Sequence, residues 1–335
     1  MPETKEAGRR DLSIDVLRWL ALTGIVLVHI QPSTFWSQLR SFDVPMMVFL
    51  SAYCFAKSSH GMDDYMSYCI KRFKRLVLPC WIFLIVWFGF KYCVLGESPD
   101  WYNVIMCFTL LTPWYLWIIR VFVCMALIAP IATKHIFKLS SRSFYTLMII
   151  GLIFNEFLCG ANHSYSYTIL VMTFSYFLVF AYGTYIKNIS NKQILIIGGG
   201  TAIIFILMAI MMCHEQGNFV PVGKYKFPPH LYYLSYAFMC LSFLWLVRQQ
   251  LLGLLQKIRL DGFAAYIGSH TLWIYLWHIP MVTFLGENLN APIRFIIVYF
   301  SAISLAFLQE RMVLRFCRHL TNEKLKKNVK SVLIG

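Results

Sequence analysis

Apolar runs of roughly 20 residues recur along this chain, each closed by a short polar or Gly/Pro-containing stretch. A helix of roughly 20 residues, rising about 1.5 Å per residue, spans the hydrocarbon core of a bilayer. The pattern predicts ten transmembrane helices, at residues 14–32, 43–57, 76–95, 113–133, 143–159, 165–186, 193–213, 229–247, 266–285 and 293–313, the second of them short. The expected fold is an all-α integral membrane protein, one bundle of about ten helices. No internal repeat or low-complexity stretch interrupts it. Residues 1–335 therefore read as a single membrane domain with basic tails at 1–12 and 315–335.

Composition sharpens this picture. The chain is 59% hydrophobic and 13% charged, where soluble domains carry about 25% charged residues. Too few polar side chains exist to cover a water-facing surface. The first apolar run is too long and too charged for a cleaved signal peptide and is expected to stay as a helix.

A net charge of +15 would suit nucleic acid, but its distribution points elsewhere. With the N-terminus inside, Arg40, Lys91, Lys224, Lys226 and Arg294 fall outside, and Arg18 and Arg120 fall within spans. All the other Lys and Arg lie on the cytoplasmic side. That is the positive-inside pattern, and it places both termini in the cytoplasm. The partner implied by the charge is anionic membrane lipid, not nucleic acid. Ten cysteines without a CxxC offer no metal site; only Cys93, Cys159 and Cys213 approach the oxidising outer side.

The stretch SIDVLRWLALTGIVLVHI, residues 13–30, sets three ionisable side chains in an apolar run. On a helix Arg18 and His29 share a face, roughly 16 Å apart along the axis, and Asp15 joins them as the i,i+3 partner of Arg18. Arg18 alone is also explained by snorkelling to the headgroups. His29 is the most natural general base in the chain, because an imidazole titrates near neutral pH. A buried neutral histidine bonded to another helix is the plainer alternative.

The segment YCIKRFKRLVLP, 68–79, places Lys71, Arg72, Lys74 and Arg75 at the predicted start of the third helix. There the helix dipole adds to their charge, which suits a polyanion such as a nucleotide phosphate. Arg binds phosphate through a bidentate fork that Lys lacks. Ordinary positive-inside charge explains the same residues. Aromatic helix ends follow, at TPWYLW (Trp114, Tyr115), FPPHLYYLSYAF (Tyr232, Tyr233) and GSHTLWIYLWHIP (His278). They suit an interfacial belt or the mouth of a sugar site, with His278 set near mid-membrane beside Pro280. Gly198–Gly200 lacks the Lys-Ser/Thr of a phosphate loop and reads as close helix packing. The outer acids Asp43, Glu97, Glu156, Glu215 and Glu287 are candidates that the sequence does not rank.

These blocks resemble the acyltransferase-3 family of multispanning O-acyltransferases. IDVLRWLALTGIVLVH resembles its opening, an arginine and a histidine with ten residues between them, here Arg18 and His29. DVPMMVFLSAYCF is similar to its V-P-x-x-x-x-x-S-G-Y block, with Ala52 where the family has glycine. KRFKRLVLP looks like its R-x-x-R-L segment, matched by Arg72 and Arg75. The resemblance implies transfer of an acyl group, usually acetyl from cytoplasmic acetyl-CoA, to a glycan hydroxyl. The acceptors it implies are lipid-linked O-antigen of lipopolysaccharide, exopolysaccharide or peptidoglycan precursors at the bacterial inner membrane. On this reading His29 is general base or acyl carrier, Asp15 orients Arg18, and Arg18, Lys71, Arg72 and Arg75 hold the acetyl-CoA phosphates. Trp114, Tyr115, Tyr232, Tyr233 and His278 would meet the glycan. No metal is implied. The rival is a multispanning transporter or flippase of a small anion or lipid-linked sugar, which usually shows inverted repeats absent here.

Overall fold

The structure, a computed structural model, describes residues 10–58, 65–161, 164–286 and 289–334. Glu287, one of the candidate acids, lies outside them. The described residues form fourteen α-helices and no strand beyond a lone bridge between Lys226 and Pro229. In chain order they are α1 Leu12–Val28, α2 Thr34–Leu39, α3 Asp43–Lys57, α4 Tyr65–Cys93, α5 Trp101–Phe108, α6 Trp117–Ile136 and α7 Ser141–Cys159. There follow α8 Tyr165–Tyr185, α9 Asn191–Gln216, α10 Leu231–Lys257, α11 Asp261–Ser269, α12 Thr271–Leu285, α13 Ala291–His319 and α14 Glu323–Leu333.

Eight of the helical stretches among the described residues are long and apolar enough to cross a membrane, α2 and α3 counting as one. Each of the ten expected segments is helical, but α1 and α12, with 17 and 15 residues, fall short of membrane-crossing length, so ten crossings are not established. Both lie inside the bundle. α1 packs against α3, α10, α11, α12 and α13, so its neighbours, rather than its own length, meet the lipid. At the other extreme α9 buries only Ile194 and presents apolar side chains outward along its 26 residues, as a lipid-facing helix does.

Two crossings rest on glycine. A Cβ on Gly268 of α11 would come within 2.3 Å of the Asp15 carbonyl oxygen, and one on Gly183 of α8 within 2.3 Å of that of Phe49. The same Gly183 Cβ would meet the Ala52 Cβ at 3.0 Å. The small residue that the family pattern puts on α3 is thus matched by a glycine on the facing helix, and Ala52 packs there fully buried. Of the triplet on α9, Gly198 faces Ser242 of α10, whereas nothing lies within 4 Å of a Cβ on Gly199 or Gly200.

Several boundaries differ from those expected. α4 starts at Tyr65, eleven residues before the expected 76. Lys71, Arg72 and Arg75 therefore lie in its second and third turns, not at its start. The backbone amides there are engaged within the helix, so any phosphate contact falls to the side chains, without help from a helix N-terminus. The expected helix 266–285 is broken at His270 into α11 and α12. Within the expected basic tail the chain is largely helical: α13 runs to His319, and α14 follows, capped by the Asn322 side chain. The Trp273 indole donates to the Val332 carbonyl at 3.1 Å and the Gln309 amide to that of Leu333 at 2.6 Å, docking α14 on the bundle.

Candidate functional site

Both ends of α1 carry clustered polar groups. At its first turn Asp15, 1% exposed, accepts from Arg10 Nε at 2.5 Å and from Arg18 Nη1 at 3.4 Å. Arg18 Nη2 donates to Cys54 Sγ at 3.2 Å, tying α1 to α3. The Arg72 guanidinium lies over the Tyr68 ring at 5.1 Å and the Phe55 ring at 5.9 Å. Arg75 lies within electrostatic range of both Arg72 and Arg18. Two helices, α1 and α4, thus bring Arg18, Arg72 and Arg75 to one region, with Asp15 already engaged by Arg10 and Arg18. Lys71 and Arg75 are exposed. The fixed arginine forks of this cluster suit phosphate groups.

At the other end α1 stops, and His29 is its C-cap residue. His29 Nδ1 lies 3.1 Å from His278 Nε2, and His278, fully buried, makes a short hydrogen bond through Nδ1 with the Tyr275 carbonyl. The hydrogens follow from donor and acceptor roles. A carbonyl only accepts, so neutral His278 holds its proton on Nδ1 and its Nε2 accepts. His29 then donates from Nδ1, which leaves the lone pair on His29 Nε2. A ring nitrogen with a free lone pair, in a tautomer fixed by its neighbour, is the arrangement a general base or nucleophile needs.

Tyr115 joins this pair to a cavity. Its ring centroid lies 4.6 Å from that of His29 and 5.8 Å from that of His278. It also lines a cavity of about 300 Å³ with Trp87, Glu97, Asp100, Asn103 and Trp114. Trp114 is 63% exposed. The loop carrying these aromatics is held by backbone carbonyls: Tyr275 donates its hydroxyl to Tyr115, Trp81 its indole to Phe108 at 2.9 Å, and Arg120 to Leu110 at 3.1 Å. Aromatic faces beside carboxylate and carboxamide groups are the surface a sugar hydroxyl ring recognises.

Tyr232 and Tyr233 are elsewhere. Both are fully buried in α10, and Tyr232 donates to the Val220 carbonyl at 2.8 Å, so they serve the core rather than an open mouth. Among the acids, Asp43 is buried and pairs with Arg40 at 2.7 Å. Glu97 pairs with Lys91 at the cavity rim at 2.5 Å. Glu156 binds His230 Nδ1 at 3.0 Å and the Leu231 amide at 2.6 Å. The sequence reading offered no metal site, yet Glu156, Cys159 and His230 bring three ligand atoms within 4.8 Å of one another. Their present hydrogen bonds explain that gathering by pinning α7 to the start of α10. None of the ten cysteines, all of them among the described residues, is in a disulfide.

The Arg40–Asp43 pair and the buried Lys226 were not singled out from sequence. Arg40 and Asp43 are legible as an i,i+3 pair, but nothing local marks Lys226 as their neighbour.

Helices of membrane-crossing length, wrapped around a short central helix with arginines at one end and paired imidazoles at the other, define a multi-pass membrane protein. The family model for the acyltransferase-3 domain, described as an acyltransferase domain, matches residues 11–309. The chain belongs to that family of membrane acyltransferases. No curated protein and no solved structure matches it.

Proposed function

We propose that this protein is a membrane O-acetyltransferase that moves an acetyl group from cytoplasmic acetyl-CoA to a hydroxyl of a bacterial glycan, such as O-antigen or exopolysaccharide. The reading places it in the inner membrane with both termini cytoplasmic, as one membrane domain. The observation that carries it is the position of Tyr115, packed on His29 at 4.6 Å and at the same time a wall of the cavity. The imidazole thereby sits one ring away from a surface suited to a sugar.

The positive-inside pattern puts the Asp15 end of α1 in the cytoplasm. Arg18, Arg72 and Arg75 meet the donor phosphates there, and the thioester reaches along α1 toward His29. His29 Nε2 removes the proton from the acceptor hydroxyl as that oxygen attacks the acyl carbon; the C–S bond breaks and the thiolate takes up a proton. Alternatively the same nitrogen takes the acyl group first and passes it on. His278 positions His29 in either route, and Asp15 orients Arg18. The test is mass spectrometry of surface glycans from cells with and without the gene. Loss of a 2-carbon acyl substituent supports the reading, and unchanged glycans with altered uptake or lipid-linked sugar distribution would favour a transporter.

A further inference from the structure

Three formal charges are buried together near the His29 end of α1. Asp43 is 0% exposed, and Arg40 and Lys226 are 8% exposed each. The Asp43 carboxylate is already engaged: one oxygen accepts from Arg40 Nη1 at 2.7 Å and the other from the Val44 amide at 2.6 Å. Among the described residues Lys226 forms no ion pair with a carboxylate. Its ammonium lies instead over the Trp117 ring at 5.0 Å and the Phe227 ring at 5.6 Å. Ring faces favour a cation, but they do not neutralise it. Arg40 Nε is buried and has no hydrogen-bond partner. One carboxylate therefore faces two cations, with an unused guanidinium N–H beside them.

A buried charge left unbalanced costs several kcal/mol of desolvation, about the loss seen when one member of a buried pair is removed. A fold that needed only bulk at position 226 would be better served by an apolar side chain. The loop is not loose enough to let the lysine escape: Gln38 accepts from the Val222 amide at 2.9 Å, and Tyr232 holds the Val220 carbonyl at 2.8 Å. Both cations also act on His29 across the site.

We propose that Lys226 and Arg40 form an anion-binding site beside His29 that receives the acidic group, carboxylate or phosphate, of the acyl acceptor. The acceptor would be an acidic sugar or a sugar still joined to a phosphate-bearing carrier. The placement at the acceptor end rests on the functional reading above; the anion site itself does not.

The test is anion binding by the purified full-length protein in detergent, with no acyl donor present. Intrinsic tryptophan fluorescence and thermal unfolding are followed at pH 7 and constant chloride-balanced ionic strength. The titrants are inorganic phosphate, glucuronate and, as neutral control, glucose. Wild type is expected to bind at least one of the two anions and not glucose. Binding of phosphate alone identifies a phosphate-bearing acceptor, and binding of glucuronate an acidic sugar. Lys226→Met should weaken that binding at least tenfold while melting no lower than wild type, since it removes a buried charge. Lys226→Gln serves in its place if the Met variant does not purify. A double variant Arg72→Ala/Arg75→Ala should retain the Lys226-dependent component of anion binding, separating this site from the arginine cluster at the far end of α1. No anion binding by wild type, undiminished binding by the Lys226 variants, or binding lost only in the Arg72/Arg75 variant would each overturn the proposal. Acyl transfer is not read, so failure of the enzymatic reading leaves this result standing and the reverse is equally true.

Discussion

His29 Nδ1 and His278 Nε2 lie 3.1 Å apart although 249 residues separate them in the chain. Because His278 Nδ1 is held by the Tyr275 carbonyl, the pair leaves the reactive lone pair on His29 Nε2. His29→Ala should therefore abolish acyl transfer, a loss of about 10²–10⁴-fold for a general base, with the protein still inserted. His278→Ala should keep the imidazole but lose its fixed tautomer, lowering kcat roughly 10–100-fold with little change in the acceptor KM. Steady-state kinetics on both variants checks this. A His278 variant deader than the His29 variant would exchange their roles.

Arg18→Lys tests whether the Arg18 side chain is a snorkelling cation or part of the donor site. Arg18 holds Asp15 and Cys54 with two separate nitrogens, at 3.4 and 3.2 Å. An ammonium keeps the charge but lacks the planar fork. The lysine variant should insert normally and lose most activity when assayed below the KM for acetyl-CoA. Full activity would return Arg18 to a purely topological role.

On the proposed reading Arg72→Ala and Arg75→Ala should each raise the KM for acetyl-CoA more than they lower kcat, because both would meet phosphate through side chains alone. Arg72 also loses its stacking on Tyr68 and Phe55, so its variant should melt slightly lower than that of exposed Arg75. Acetyl-CoA titrations matching wild type in both variants would move the donor site elsewhere.

Gly268→Ala places a methyl 2.3 Å from the Asp15 carbonyl, whereas the same change at Gly199 meets nothing within 4 Å. The first should cost about 1–3 kcal/mol through forced displacement of α11 from α1, and it should shift Asp15 and so weaken donor binding. The second should be neutral or slightly stabilising, since alanine favours helix over glycine by about 1 kcal/mol. Thermal unfolding in detergent distinguishes the two.

Burial pushes the Lys226 ammonium down to about 8; Asp43 opposes the shift and Arg40 adds to it. The charged form binds an anion, so phosphate or glucuronate affinity should be retained below about pH 8 and fall as pH rises through it. An ordinary lysine would hold its charge to about pH 10. Arg40, Asp43 and His29, with the phenols of Tyr176, Tyr233, Tyr236 and Tyr275 near the Arg40–Asp43 pair, are other ionisable groups of the cluster. The profile should flatten in Lys226→Met, which assigns the titration to this residue. A wild-type profile level from pH 7 to about 9.5 would contradict it.

Periodicity and composition determined most of the architecture. Runs of roughly 20 apolar residues are read without reference to any partner, because each helix satisfies its own backbone in lipid. For the same reason Asp15, Arg18 and His29 were legible as one face of α1: their spacing on a single helix is a local property. Helix ends were less legible. The start of α4 at Tyr65 and the cap at His29 depend on where neighbouring chain packs, not on hydropathy. α14 could have been read from Leu325, Val329, Val332 and Leu333 at helical spacing behind Asn322, a pattern its lysines obscured.

Contacts between distant segments were decided only by tertiary structure. The His29–His278 pair, the Tyr115 ring between that pair and the cavity, and Lys226 over Trp117 each join residues far apart in sequence. An aromatic or histidine on a membrane helix reads the same whether it faces lipid, core or substrate, so Tyr115 and Tyr232 looked alike until packing put one beside His29 and the other in the core. The sequence alone therefore determined a multi-helix membrane protein with a charged stripe on its first helix. Packing decided which imidazole nitrogen is free and which buried cations lack a counter-charge, since hydrogen-bond partners and desolvation are set by neighbours in space.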